Sequence, residues 1–439
     1  MAHCVGHHAP LPSPAGTRDT GDGIRPLRAY LVALYGVLGA GVLALAWLPI
    51  ETLLSHLLYD DFFYCLKLAQ NLIHRRALSF DGTAPTYVPH PLWVAICTGI
   101  QAITDSPIVV HLILTVAAGL HAAQTYVVFR LVSIMTRRHI AHLTAIFYLM
   151  NYRLIACSLC GLETPLQALF ILLVFHHVLA NRGPLGVGSA IRCGGLLGLA
   201  VLARIDLLLL AGFVIVWVLI DRSFGERFFR GRLRGAVTIC ATLLVVALPW
   251  SLWSAIRSGT VLPSELVALN LFRFQPFDAT HSLAHNLVLL KSKLTLAGWY
   301  LSDAANLLGV WPFVHAYDLE GRLGGVLAGL VLGLLGVGIG FTRRSTNHLP
   351  RCVMAAYGLA HMGYYVFFAM PEIRYLVPFC IVTILVAASI AGDVSFKLRT
   401  VWGSRVGPVV YGVLVIHSAV AGVLAWGCLL YTSPSPRDS

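Results

Sequence analysis

Long apolar runs alternate with short polar connections along most of the chain. Many of these runs reach the roughly 20 residues that a helix needs to cross a hydrocarbon core of about 30 Å. Because helices and closed barrels alone satisfy every backbone polar group inside lipid, the pattern predicts an all-α, polytopic transmembrane helical bundle. We predict about 11 spans from this pattern. They are 28–49, 107–135, 139–158, 165–180, a hairpin of two short helices over 188–220, 235–256, 323–341, 351–370, 376–392 and 406–428.

Two segments between these spans predict helices at the membrane surface. After Asp60 and Asp61, apolar side chains recur at helical spacing, which is typical of an amphipathic helix lying along the membrane. Residues 91–104 are apolar but too few to cross the core, so we predict an interfacial or re-entrant helix there. The residues at helical spacing in this amphipathic run are Phe63, Leu66, Ala69, Gln70 and Ile73.

Composition supports an integral membrane protein. The chain is 58% hydrophobic and only 11% charged, with a mean hydropathy of +0.79, whereas a soluble domain carries about a quarter of its residues as charges. The net charge of +12 comes mainly from arginine clusters between apolar runs. Cytoplasmic loops retain such residues, so the clusters indicate topology. No stretch combines basic residues with exposed aromatic residues over a soluble domain, and we expect no nucleic-acid partner.

The positive-inside rule orients the chain. Arg137-Arg138 and the basic loop after residue 220 are predicted to be cytoplasmic, which places the N-terminus inside and Asp60 outside. The chain then divides into four sections by composition. These are a disordered cytoplasmic tail (1–27), a catalytic transmembrane module (28–256) that includes an outer loop (51–106), a C-terminal outer segment with further spans (257–430), and a polar tail (431–439) that we interpret as non-native.

Acidic and arginine residues fall at the predicted outer ends of separate segments. Each has a structural explanation by itself, since an acid can cap or begin a helix and neighbouring Arg and Asp side chains can simply pair. Ionisable groups at membrane depth are nevertheless functional candidates, and we expect these to converge. The groups are Asp60-Asp61, Glu163, Arg204 with Asp206, and Glu372 with Arg374 and Tyr375.

This set of side chains fits glycosyl transfer from a lipid phosphate. A carboxylate can remove the proton from an acceptor hydroxyl as it attacks the sugar carbon. The phosphate leaving group needs Arg, Lys, His or a metal ion to stabilise its charge. Apolar walls suit a polyprenyl chain.

Several short motifs together resemble one superfamily of membrane enzymes. Asp60-Asp61-Phe62-Phe63-Tyr64 resembles the acidic signature in the first outer loop of GT-C glycosyltransferases, which use polyprenyl-phosphate sugars. The similarity is greatest to a bacterial branch, although Tyr87-Val88-Pro89 stands where that branch has Asn-Gly-Tyr. The other matching motifs are Phe80-Asp81-Gly82-Thr83, His90-Pro91-Leu92-Trp93, Gly161-Leu162-Glu163-Thr164-Pro165-Leu166, Ala203-Arg204-Ile205-Asp206, Pro249-Trp250 and Arg374-Tyr375-Leu376.

The resemblance implies a GT-C fold in a bacterial cytoplasmic membrane. It implies inverting transfer, on the non-cytoplasmic face, from a polyprenyl-phosphate-linked sugar to a lipid, glycan or protein acceptor. Some relatives use a divalent cation (Mg²⁺ or Mn²⁺) and others use none, so a metal held by Asp60 and Glu163 stays an open alternative. The implied roles are Asp60 as base supported by Asp61, Glu163 as second acidic site, and Arg374, Tyr375, Arg204 and His90 as donor phosphate contacts.

Two other functions are compatible with charges in a membrane protein. A transporter or flippase of lipid-linked sugars also needs them, but its acids would lie near mid-membrane, and no inverted repeat is visible in this chain. An inactive scaffold subunit is the second alternative.

Overall fold

The computed structural model describes most of the first 258 residues and a shorter C-terminal part. Because of this, the predicted tail up to residue 23, most of 257–341, the span at 406–428 and the tail at 431–439 lie outside the described residues. The described residues are 24–83, 85–86, 90–104, 106–183, 185–221, 223, 229–258, 345–368 and 372–402, with isolated positions between 282 and 343.

The fold is all-α, and no strand occurs among the described residues. Two 3-10 turns, Ile205–Leu207 and Ile373–Leu376, each run directly into a helix. The helices are α1 (Ile24–Leu45), α2 (Ile50–His56), α3 (Asp60–Arg75), α4 (Pro91–Gln101), α5 (Ile108–Met135), α6 (Arg138–Met150), α7 (Tyr152–Ser158), α8 (Thr164–Ala180), α9 (Val187–Ala203), α10 (Leu208–Ile220), α11 (Phe229–Ser258), α12 (His348–Phe368) and α13 (Val377–Trp402).

Among the described residues, three helical segments are long and apolar enough to cross a membrane: Ile108–Met135, Phe229–Arg257 and Ile373–Ser395. Up to five spans result if the bent pairs α1–α2 and α6–α7 each count as one. The total of about 11 spans therefore stays a prediction.

The predicted span 139–158 is bent by 59° between α6 and α7. Asn151 lies at this break, and its side chain accepts a hydrogen bond from the backbone N–H of Leu154 at 3.1 Å. An asparagine that caps a helix in this way starts a new helix direction. The polar residue inside the apolar run thus divides one predicted helix into two.

Helix α3 forms where predicted, but of its predicted face only Ala69 is fully buried. Phe62, Cys65 and Leu68 are buried, whereas Phe63, which we predicted to be apolar-facing, is 43% exposed. The helix packs on neighbouring protein segments rather than on lipid alone, so the packing partner decides which face is covered. Its first turn contains Asp60 and Asp61, where carboxylates interact favourably with the helix dipole.

The loop before α8 holds the ends of α3 and α4 together. Trp93 on α4 donates a hydrogen bond from Nε1 to the carbonyl of Gly161 at 3.0 Å. The backbone of Gly161 has a φ of +82°, and a Cβ at this position would lie 2.6 Å from the ring of Phe62 on α3. Glycine is therefore required here for two reasons: it adopts the left-handed conformation without strain, and it leaves room for Phe62 of α3.

Gly161→Ala is expected to lower the stability of the folded protein by roughly 1–3 kcal/mol because the added methyl group forces Phe62 or the loop to move. Thermal unfolding in detergent is the measurement. Gly119→Ala on α5 is the matched control, since a Cβ there meets nothing within 4 Å. Equal unfolding temperatures for the two variants would contradict the packing role of Gly161.

Candidate active site

The adjacent acids Asp60 and Asp61 begin α3, and both are exposed. Asp60 Oδ1 accepts a hydrogen bond from the backbone N–H of Asp61 at 2.9 Å. Asp61 Oδ2 lies 2.7 Å from Nη2 of Arg374 in a hydrogen-bonded ion pair. Among the described residues, Asp60 has no ion-pair partner. The two neighbouring carboxylates therefore differ in their surroundings.

Arg374 is a buried arginine in the 3-10 turn before α13. Its Nη2 also donates to the hydroxyl of Tyr375 at 3.1 Å, and its Cζ lies 5.1 Å from the ring centre of Tyr59. Nε lies 2.6 Å from Oε2 of Glu372, but the angle of this ionic contact does not make a hydrogen bond. The guanidinium thus retains N–H donors that no described residue uses.

The surroundings of Glu372 act on the pKa of its carboxyl in opposite directions. Burial raises the pKa of its carboxyl, and the negative charge of Asp61 acts in the same direction. Arg374 opposes both effects, but the pKa of Glu372 still lies above its usual range.

Glu163 and Arg204 form a buried ion pair nearby. Glu163 occupies the residue before α8, which has proline at its second position, a favoured place at a helix start. Its Oε1 accepts a hydrogen bond from Nη1 of Arg204 and lies 3.5 Å from Nε2 of His90. Burial raises the pKa of Glu163, but the neighbouring charges of His90 and Arg204 outweigh it and hold the pKa below its usual range.

Arg204 also pairs with Asp206, as the proximity of the two residues in sequence allows. Nε of Arg204 lies 3.2 Å from both carboxylate oxygens of Asp206. The rest of the Asp206 environment was not predicted from the sequence. Gln167 Nε2 donates to its carboxylate at 3.2 Å, the Tyr365 hydroxyl donates to Oδ2, and Nε2 of His361 lies 3.4 Å away.

These three missed residues lie inside the apolar helices α8 and α12 and belong to no motif. One signal was present in the sequence. Tyr357, His361 and Tyr365 recur at every fourth residue of α12, which places polar atoms along one face of a helix.

The ring of Tyr375 lies between Arg204 and Arg374 and contacts both. The Cζ atoms of Arg204 and Arg374 each lie 5.0 Å from its centre, within the range of a cation–π contact. Tyr365 stacks on the same ring, with centroids 4.4 Å apart and planes inclined by 13°. The four segments that carry the predicted acids and arginines therefore meet in space. Three of them belong to the predicted catalytic module (28–256), and the fourth, with Arg374, belongs to the C-terminal section.

The described residues do not fit the metal site that the resemblance left open. They contain no group of three or more His, Cys, Asp and Glu side chains that could hold a metal ion. Glu163 is already engaged by Arg204. Asp81, a further acid between α3 and α4, accepts hydrogen bonds from Ser79 and Thr83 within its own turn.

Comparison with known proteins gives a match in structure and none in sequence. No family model and no curated protein matches the chain. ArnT from Cupriavidus metallidurans, solved with undecaprenyl phosphate, superimposes with a TM-score of 0.56 at 13% identity over 93% of this chain and 73% of its own. The oligosaccharyltransferase AglB from Archaeoglobus fulgidus, in complex with an inhibitory peptide and a dolichol-phosphate, gives 0.56 at 14% identity over 93% of this chain.

The chain spans 57% of the length of AglB in that comparison. A structure of the same archaeal enzyme with Zn and sulfate matches with a TM-score of 0.54 at 15% identity, over 90% of this chain and 52% of the enzyme. ArnT and AglB were thus both solved with a polyprenyl phosphate bound. The chain therefore shares its all-α fold with ArnT and with the archaeal oligosaccharyltransferase AglB.

Proposed function

We propose that this protein is an integral membrane glycosyltransferase that moves a sugar from a polyprenyl phosphate to an acceptor on the non-cytoplasmic face, with inversion at the sugar carbon. The observation that supports this best is the meeting of two buried arginines and their acids around Tyr375, within a GT-C fold. ArnT and AglB were solved with polyprenyl phosphates, which is the donor class that we assign to this chain.

The donor phosphate binds beside Tyr375 in this proposal. When the bond to the sugar breaks, the phosphate gains negative charge, and arginine stabilises such charge with paired N–H donors. Arg374 and Arg204 supply these donors, while the Tyr375 hydroxyl and His90 complete the contacts. The spare donors of Arg374 support its role as the principal contact.

Asp60 is the general base. The acceptor oxygen forms a bond to the anomeric carbon from the side opposite the phosphate, and its proton passes to the Asp60 carboxylate. The bond between that carbon and the phosphate oxygen breaks, and its electron pair leaves with the polyprenyl phosphate. The ion pair of Asp61 with Arg374 supports this division of roles, because a carboxylate bound to a guanidinium is a weaker base.

The acceptor class remains as broad as the resemblance left it: a lipid, a glycan or a protein. One archaeal neighbour was solved tethered to an acceptor peptide, but that chain is only 14% identical to this one. No step is assigned to a divalent cation, because the acid that would hold it is paired with Arg204.

Asp60→Asn is expected to fold and bind donor but to lose turnover by roughly 10²- to 10⁴-fold, the contribution of a positioned base. Asp61→Asn is expected to lose less turnover and more donor affinity, since it releases Arg374. Single-turnover transfer in nanodiscs, with a panel of polyprenyl-phosphate sugars, measures both. An inactive Asp61→Asn variant together with an active Asp60→Asn variant would mean that Asp61 is the base. Full activity of both variants would refute a general base at the start of α3.

Arg374→Ala is expected to weaken binding of the polyprenyl-phosphate donor by more than tenfold while changing acceptor affinity little, because it removes a buried charge-assisted contact. Arg374→Lys restores the charge without the planar fork and is expected to recover only part of the affinity. Arg130→Ala is the control, since this exposed arginine of α5 bonds to Tyr126. Unchanged donor affinity in Arg374→Ala would exclude Arg374 from the donor site.

The proposed orientation can be tested by labelling single cysteines in intact cells, on a background that lacks the native cysteines. Positions 81 and 230 are both exposed, so accessibility to a membrane-impermeant reagent reports only the side of the membrane. We expect labelling at 81 and none at 230. Labelling of position 230 from outside would refute the placement of the site on the non-cytoplasmic face.

A further inference from the structure

Tyr365 on α12 lies outside every sequence motif. Its hydroxyl contacts Arg204, and its ring stacks on Tyr375, which contacts Arg374. We propose that Tyr365 is a positioning residue that sets Arg204 relative to Arg374 for binding the phosphate of the lipid donor. The inference rests on the proposed function, because it concerns the same phosphate. Tyr365 itself is buried, at 5% exposure, and acts through the arginines.

The hydroxyl of Tyr365 fixes one side of Arg204. It accepts a hydrogen bond from Nη2 of Arg204 at 2.8 Å and donates one to Asp206. Nη1 of Arg204 is held by Glu163 and Nε by Asp206. Each nitrogen of the guanidinium therefore has a hydrogen-bond partner among the described residues, and Tyr365 is the one of these partners that is not a carboxylate. Nη1 and Nη2 each keep a second N–H for the phosphate.

The ring of Tyr365 reaches the other arginine through Tyr375. The two rings stack in parallel at 4.4 Å, and the hydroxyl of Tyr375 accepts a hydrogen bond from Arg374 at 3.1 Å. A continuous series of contacts thus runs from Arg204 to Arg374. Moving Tyr365 would change the separation of the two guanidinium groups, on which two-point binding of a phosphate depends.

A purely structural role for Tyr365 makes a different prediction. Asp206 keeps Arg204 and Gln167 as partners without the tyrosine hydroxyl, so a structural tyrosine would affect thermal stability alone. A positioning tyrosine affects the affinity for lipid phosphate. The two roles are separable because affinity and stability are measured independently.

The test compares Tyr365→Phe with Tyr357→Phe. Both substitutions remove a hydroxyl from a buried ring on the same face of α12, but the Tyr357 hydroxyl has no hydrogen-bond partner among the described residues. Binding of undecaprenyl phosphate to the full-length protein in nanodiscs is titrated, and unfolding temperatures are recorded alongside. We expect Tyr365→Phe to bind about tenfold more weakly, as for a lost hydrogen bond to a charged group, and Tyr357→Phe to bind as the wild type does.

Transfer kinetics and a double substitution sharpen the result. Tyr365→Phe is expected to raise KM for the donor by a similar factor and to leave kcat within about threefold, since it changes positioning rather than proton transfer. In an Arg204→Lys background, Tyr365→Phe is expected to add little, because the group through which it acts is already altered. Full additivity of the two changes would contradict the inference.

Three outcomes separate this inference from the proposed function. Wild-type affinity in Tyr365→Phe, or an equal loss in Tyr357→Phe, overturns the role of Tyr365 and leaves the glycosyltransferase intact. A wild type that binds undecaprenyl phosphate but transfers no sugar from any donor refutes the function and retains Tyr365 as a lipid-phosphate positioning residue. A wild type that does not bind the lipid refutes both.

Discussion

The compensation of buried arginine charge is the constraint on which this structure depends. An uncompensated charge in an apolar interior costs several kcal/mol, and Arg204 and Arg374 are both buried. Each is met by carboxylates, which are Glu163 and Asp206 for the first and Asp61 and Glu372 for the second. Removing both acids of either arginine would leave a charge that the surrounding apolar side chains cannot stabilise.

The same ion pairs connect segments that are far apart in sequence. Asp61 lies on α3, Glu163 before α8, and Arg374 before α13, so the pairs fasten the bundle at the place where the candidate chemistry occurs. The packing of Phe62 on Gly161 also connects α3 to the loop before α8, without any charge. Site geometry and bundle stability are therefore coupled through these ion pairs.

Local sequence patterns were sufficient to predict most helices and the acids and arginines that converge. Pro91 and Pro165 fall at helix starts, and the 188–220 hairpin appears as α9 and α10. The bend at Asn151 and the buried face of α3 were not predicted, because each depends on what the helix packs against. Tyr365, Gln167 and His361 were missed for a related reason: their partners come from other helices, and tertiary packing alone selects them.

Four helices begin at this cluster, and their backbones contribute to its electrostatics. α3 begins at Asp60, α8 follows Glu163, and α10 and α13 follow the two 3-10 turns beside Arg204 and Arg374. A helix N-terminus carries roughly half a positive charge, so four of them offset much of the excess of carboxylates over arginines. Unlike the charge of a carboxyl or imidazole group, this backbone potential does not change with pH. This backbone contribution to the potential at the cluster is therefore permanent, and it acts in favour of a bound anion at every pH at which the bundle is folded.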